Sequence, residues 1–156
     1  MKSHSLEPFF RSWEHSIASD NIPAQLSHFA ETFMVAGPQG AQPVRLSDFA
    51  LALPKRKQLF DSLGSQPSSL VSLVETRLDD RYSMARTQWR MTFAKNDAAP
   101  HHILVDSTYI LDTGIVDPAI VDTRIADAAS EEFKIIFYLP HQDILAILKD
   151  RGIMPG

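Results

Sequence analysis

Near the start of the chain, apolar residues recur every three or four positions: Leu6, Phe9, Phe10, Trp13 and Ile17. That spacing gathers them into one stripe along a helix. Pro8 suits the first turn of such a helix, where the N–H it lacks has no intrahelical acceptor. Asp20-Asn21 interrupts the pattern, and Pro23 is placed to open a short second helix carrying Leu26. The stretch FAETFMVAGPQGAQ then reads as a first strand through Phe33-Met34-Val35, broken at Gly37-Pro38-Gln39-Gly40. The break has a plain structural account: Gly37 and Gly40 tolerate unusual dihedrals, and Pro38 ends sheet pairing. Ser47 is a candidate cap for a third helical region through Phe49, Leu53, Leu59, Phe60 and Leu63. Pro54 is expected to split that region in two, and Gly64 to stop it.

Beyond Gly64 the period changes from helical to alternating. Residues 69–78 suit a strand, Asp79-Asp80-Arg81 a turn, and residues 82–95 a second, longer strand. In that second strand Ala85, Thr87, Trp89, Met91 and Phe93 share one face, and Arg86, Gln88, Arg90 and Thr92 the other. Asn96-Asp97 with Pro100 signals a further turn, and residues 103–111 a third strand. Residues 114–132 form a longer acidic connection with room for a short strand, and residues 133–139 the last strand. Residues 142–151 close as an amphipathic helix through Ile144, Leu145 and Leu148. Helices first, then a meander of antiparallel strands, then a final helix indicate the α+β class. A long curved antiparallel sheet with helices on its concave side encloses a cone-shaped cavity, the concavity a ligand pocket needs.

Composition refines this only slightly. At 156 residues the chain has the size of one domain, taken here as residues 1–156, and it is 44% hydrophobic and 22% charged, as soluble globular domains are. A formal net charge of -4 argues against a nucleic-acid binder. There is no cysteine, hence no disulfide framework or thiolate site. No apolar run approaches a membrane span, and MKSHSLEPFFRSWEHS does not read as a secretory leader, so the expected compartment is the cytoplasm.

Candidate chemistry is sparse. Asp106 sits in the apolar run Ile103-Leu104-Val105-Asp106-Ser107-Thr108-Tyr109. One strand register sets it beside Met91 and facing inward, where desolvation raises a carboxyl pKa and suits it to acid–base work. A shift of one residue sets it outside. Glu75 faces Arg86 across the hairpin if the turn is four residues long, giving a surface or dimer-face ion pair. The six histidines lack zinc-like spacing, and His141 and Asp143 lie at a strand-to-helix joint where capping is the plain reading. Lys55-Arg56-Lys57, the one basic run, reads as a solvated helix face. The aromatic residues are mostly core. In a cone too wide for its helices to fill, Trp13, Phe33, Trp89, Tyr109 and Phe137 are the expected cavity walls.

The order of elements resembles the nuclear transport factor 2-like superfamily, which includes ketosteroid isomerases and SnoaL-like polyketide cyclases. The likeness is carried by FFRSWEHSIASDN, by IPAQLSHFAETFMVAGPQG, by TRLDDRYSMARTQWRMTF with Trp89 at its middle, and by FKIIFYLPHQDILAILKDRGIMP, which is similar to the end of a bacterial branch of that superfamily. The resemblance implies a cystatin-like cone wrapped around the N-terminal helices. It implies that an acid on a later strand, here Asp106, is the candidate catalytic group. In the isomerases an Asp at the end of the first strand shuttles a proton, and a tyrosine on the first helix stabilises the enolate. Gly37 and Trp13 stand at those two positions here. Glycine accepts no proton and an indole N–H exchanges none at useful pH, so steroid-isomerase chemistry is not expected. The expected function is binding of a small apolar or aromatic molecule, with cofactor-free acid–base isomerase, cyclase or hydrolase chemistry at Asp106 as its enzymatic form. The alternative is a non-catalytic accessory module. The resemblance further implies a homodimer through the outer sheet face. No cofactor, metal, nucleic acid or membrane partner is expected.

Overall fold

The computed structural model describes residues 5–94, 99–114 and 133–154. The elements run in the order α1 (Glu7–Ala18), α2 (Ile22–Leu26), β1 (Phe29–Gly37), β2 (Gly40–Arg45), α3 (Leu46–Ser62), β3 (Ser65–Arg77), β4 (Tyr82–Phe93), β5 (His101–Asp112), β6 (Lys134–Pro140) and α4 (Ile144–Asp150). The strands make one sheet in the order β2-β1-β6-β5-β4-β3. The class is α+β, as the alternation of helical and strand periods indicates. The expected antiparallel sheet is instead mixed, because β1 and β6, the second and third strands in its order, run parallel. The expected turn at Asn96-Asp97 and most of the connection at 114–132 lie outside the described residues. Among the described residues no helix is long and apolar enough to cross a membrane.

The first helix forms where its apolar stripe requires. Phe9, Phe10 and Trp13 are buried along it, as is Leu6 just before it. Complete removal of a side chain such as Phe10 from water contributes ~1.5–3 kcal/mol. Leu6 has no capping side chain of its own. The Glu75 carboxylate of β3 accepts from the Leu6 N–H at 2.6 Å instead. Further along, Glu14 accepts at 2.7 Å from the Leu70 N–H, beside an irregularity in the β3–β4 ladder. Two carboxylates on backbone donors therefore fix α1 to β3 at two points, and each satisfies an N–H that regular structure would leave open. The expected Glu75–Arg86 pair does not form. The ladder sets Glu75 opposite Ala85 and Val74 opposite Arg86. That one-residue difference turns Glu75 to the helix side of the sheet.

Other departures have similar local causes. The break at Gly37-Pro38-Gln39-Gly40 is a hairpin: Gly37 pairs with Gly40, and only Gly40 of the two takes the left-handed backbone, at φ 107°. The strand after it, β2, lies at the sheet edge, where Pro43 can stand without its N–H. Its polar sequence GAQPVR gives no alternation by which to see it. Helix α3 runs unbroken through Pro54 and starts after Arg45 without a side-chain cap, so Ser47 does not cap it. Gly64 ends it at φ 81°. At the far end Asp143 caps α4 by accepting from the Ala146 N–H, as the joint suggested.

His28 holds the α1–α2 corner together. It is only 6% exposed, and its Nδ1 lies 2.6 Å from the Ala24 carbonyl, so Nδ1 carries the proton and donates. Nε2 is left to accept from the Ser12 hydroxyl at 3.1 Å. Phe9 and Trp13 meet the ring edge-on at 5.0 and 5.4 Å. Burial lowers the His28 pKa from its ordinary 6.5, and the Lys134 charge pushes the same way, while the Ala24 and Gln25 carbonyls oppose the shift. The fold thus favours neutral imidazole. As pH falls, the unfolded chain takes up this proton first, so the His28 contribution is full above 6.5 and is lost as pH drops below 6.5 toward the lowered folded value. Urea unfolding between pH 7.5 and pH 5 should show falling stability. His28→Gln, less stable at neutral pH, should show a shallower fall over the same interval. Equal slopes in the two proteins would show that His28 does not control this dependence.

Candidate functional site

Two groups of buried residues lie against the helices. One gathers Trp13, Phe29, Phe33, Trp89 and Tyr109 with the start of α1. The other gathers Leu63, Met91, Phe93, Ile103 and Leu148 near α4 and the end of α3. A cavity of about 410 Å3 takes its wall from both, with Val105 packed against each. Of the five residues expected as walls, four line it: Trp13, Phe33, Trp89 and Tyr109. Phe29, Phe49 and Tyr138, not singled out by the sequence, complete an aromatic lining. Phe29 joins these rings, with centroids 5.2 Å from Trp13, 4.7 Å from Phe33 and 4.9 Å from Phe49.

Phe137 does not line the cavity. Leu111 pairs with Ile135, but Ile110 pairs with Phe137, so β6 carries one extra residue, Ile136, at this point. Such a bulge reverses the alternation beyond it. Tyr138, opposite Tyr109, then faces in, and Phe137, opposite Ile110, faces out. Tyr138 stacks on Tyr109 at 5.0 Å between centroids.

Asp106 is also outside. It pairs with Gln88, whereas Met91 pairs with Ile103. Its neighbours Val105 and Ser107 line the cavity, and alternation sends Asp106 to the other face. There its carboxylate accepts from the Gln142 amide at 2.9 Å and the Gln88 amide at 3.4 Å. Its own N–H donates to the Gln142 side-chain Oε1 at 2.7 Å, and its backbone carbonyl accepts from the His141 N–H at 2.9 Å. Asp106 fastens the turn before α4 to β5. His141 adds a contact of 2.7 Å between its Nε2 and the Thr108 hydroxyl. Arg86 and Arg90 are exposed on this outer face, and Gly37 is in the hairpin, away from the cavity.

The polar side chains of the lining, among them Gln25, Ser65, Gln66 and Ser68, stand beside an aromatic wall that offers few polar atoms of its own. The Trp89 indole N–H is committed to the Thr87 hydroxyl at 3.0 Å, which in turn donates to the Ser107 carbonyl at 3.1 Å. The Tyr109 hydroxyl has its pKa pushed far up, chiefly by burial and further by Tyr138; Ser107, Trp13 and Arg56 pull the other way. Tyr109 is therefore a neutral phenol, a hydrogen-bond donor with no tendency to ionise.

The mouth is different in kind. Phe49, Leu53, Arg56, Lys57 and Phe60 of α3 all line it, at helical spacing. No residue of α3 is fully buried: Phe49 and Phe60 pack on Phe33 of β1 and Phe93 of β4, and the same face borders the cavity. The basic run is thus only partly a solvated face: Lys55 stays exposed and off the lining, and its two neighbours stand at the opening. The spacing from Phe49 to Phe60 was available in the sequence as a signal for this. Lys57 is paired with Asp61 on its own helix and lies 3.7 Å from Asp20. The Asp61 hydrogen bond is the main reason its pKa is raised. The Arg56 guanidinium lies 4.9 Å from the centroid of the Phe60 ring and has no carboxylate partner among the described residues. No cluster of three or more His, Asp or Glu among the described residues could hold a metal ion.

No protein-family model matches the sequence, and no curated protein matches it. Solved structures do. An NTF-2-like protein of unknown function from Shewanella oneidensis superposes with a TM-score of 0.61 at 12% identity, over 86% of this chain and 94% of the other. A proposed polyketide cyclase from Xanthomonas campestris does so with a TM-score of 0.54 at 12% identity, over 95% and 96%. A protein of unknown function with a cystatin-like fold from Nostoc punctiforme gives 0.59 at 9% identity, over 90% and 93%. The chain has the nuclear transport factor 2-like fold, and identities at this level carry the fold alone.

Asp106→Ala should lower stability by about 1–3 kcal/mol, since it strands the partly buried Gln142 amide. It should leave any ligand affinity of the cavity unchanged. Urea denaturation reads the first effect. A loss of ligand binding in a fully folded Asp106→Ala protein would return Asp106 to the site.

Proposed function

We propose that this protein binds a small, largely apolar organic molecule in the cavity between α1, α3 and the concave sheet face. One observation carries the reading: the helices leave a space of about 410 Å3 walled by aromatic rings. Ligand sites are commonly roughly 300–1,000 Å3, mostly apolar, with a few placed polar groups. Tyr109, an apolar body with a polar tip, supplies one such group, and the Trp13 indole N–H is directed at that hydroxyl. The likeness in fold to a proposed polyketide cyclase is in keeping with an organic ligand.

Acid–base turnover is supported less well. Asp106 is outside, the position of the isomerase carboxylate is Gly37, and the carboxylates lining the cavity among the described residues, Asp20 and Asp61, stand at the mouth beside Lys57. The neutral Tyr109 phenol acts as a donor that orients a ligand oxygen, and not as a base.

A second reading, an interaction module that pairs as a homodimer through the outer sheet face, is favoured by a specific grouping there. Val74 is 59% exposed and lies beside Arg86; Leu104 is 50% exposed and lies beside Arg90. Sedimentation equilibrium of the wild type and of Leu104→Glu tests it: a dimer dissociated by the substitution is expected, and a monomer in both removes this reading.

The binding reading is tested by thermal shift with a panel of aromatic and isoprenoid compounds. A ligand at 100 times its Kd should add about 2.7 kcal/mol to the folded state. Val105→Trp, which fills the cavity from its wall, should keep the fold and lose the shift. A panel that leaves the wild type unmoved, or moves Val105→Trp equally, would remove the reading.

A further inference from the structure

The cavity has two chemically unlike ends, and at the mouth two cations and two carboxylates are unevenly paired. Of the two cations that line it, Lys57 is neutralised: Asp61 accepts its hydrogen bond and Asp20 stands 3.7 Å away. Both carboxylates at the mouth are thus engaged by one ammonium. Arg56, one residue earlier on the same face of α3, is left without a carboxylate partner among the described residues. Its guanidinium rests 4.9 Å from the centroid of the Phe60 ring, a contact that fixes the cation above an aromatic face that itself lines the cavity. A guanidinium held on a ring still presents N–H donors at its edge, in the fork that matches a carboxylate. Deeper in, the wall is aromatic, and burial keeps the Tyr109 phenol neutral there.

We propose, resting on the binding reading above, that the ligand is an aromatic carboxylic acid bound as its anion, with its ring among Phe29, Phe33 and Trp13 and its carboxylate at Arg56. The arrangement selects on three counts. A neutral aromatic of the same shape gains the apolar contacts and leaves Arg56 to water. A cation seated in the same place is repelled by Arg56, the carboxylates of Asp20 and Asp61 being held at Lys57. A strongly polar anion, such as inorganic phosphate, gains Arg56 and cannot repay the desolvation of the aromatic wall. The position of the cation also orients the ligand, ring first, because its charge stays at the opening where water completes its solvation.

The test uses the full chain and three probes that share a naphthalene ring: naphthoate, naphthamide and naphthylmethylamine, the last as its ammonium. Trp13 and Trp89 both line the cavity, so their fluorescence reports occupancy, and calorimetry gives the affinities. Naphthoate should bind about tenfold more tightly than naphthamide, the ratio expected for one charge-assisted contact at a solvent-accessible mouth. The ammonium should be weakest. The carboxylate preference should shrink as salt is raised from low to physiological ionic strength. In Arg56→Gln the naphthoate-to-naphthamide ratio should fall to near one, and in Arg56→Glu the order should invert in favour of the ammonium. Equal binding of naphthoate and naphthamide by the wild type overturns the carboxylate assignment and leaves the apolar pocket standing. An order unchanged in Arg56→Glu overturns the role of Arg56. Failure of all three probes to bind, with Val105→Trp indistinguishable from the wild type, removes this inference together with the reading on which it rests.

Discussion

The fastening of α1 to the sheet is the constraint on which the remaining architecture depends. Its apolar stripe supplies the driving force, and two carboxylates supply the position: Glu75 on the N–H of Leu6, Glu14 on the N–H of Leu70. Hydrophobic burial alone is non-directional. It would allow the helix to slide or rotate along the concave face at little cost. The two hydrogen bonds select one placement, and that placement sets Trp13 against Phe29 and His28. From there the corner into α2 and the entry to β1 follow, because His28 ties Ser12 of α1 to Ala24 of α2. The wall of the cavity nearest α1 is thus determined by polar contacts remote from it.

The sheet contributes a second kind of control, through phase. A strand offers its side chains to two faces in strict turn, so a single added residue exchanges everything downstream. In β5 the phase is regular and keeps Val105, Ser107 and Tyr109 inside. In β6 the extra residue at Ile136 exchanges Phe137 for Tyr138, which brings a second phenol against Tyr109 and sends a purely apolar ring away. The polar tips available to a ligand are therefore a matter of strand register as much as of composition.

This also explains which features could be read from the residues. The stripe of α1 and the alternation of β4 are long, regular and strongly apolar, and both elements occur where their patterns lie. Trp13, Phe33, Trp89 and Tyr109 could be chosen because they sit on such regular faces. Phe137 could not be rejected, since a bulge leaves no mark in a run such as KIIFYLP. Asp106 depended on the loop between β4 and β5, and its register became determined only by pairing over the whole of both strands. Edge strand β2 has no apolar alternation because Val44 alone of its six residues packs against the core. Arg56 is hard to single out for a different reason: a charge run reads as a unit, whereas the helix turns Lys55 away from the cavity and Arg56 and Lys57 toward it. The carboxylate partners of Leu6 and Leu70 lie 69 and 56 positions away along the chain, beyond any local pattern.

The two buried clusters, one around α1 and one around α4, share the cavity as their common border. In most small domains the interior is continuous, and its two ends support each other by direct contact. Here the link runs through Val105, packed against both clusters, and Met91, a member of the second that lines the cavity. A change in the volume of the cavity would reach α4 through those two side chains.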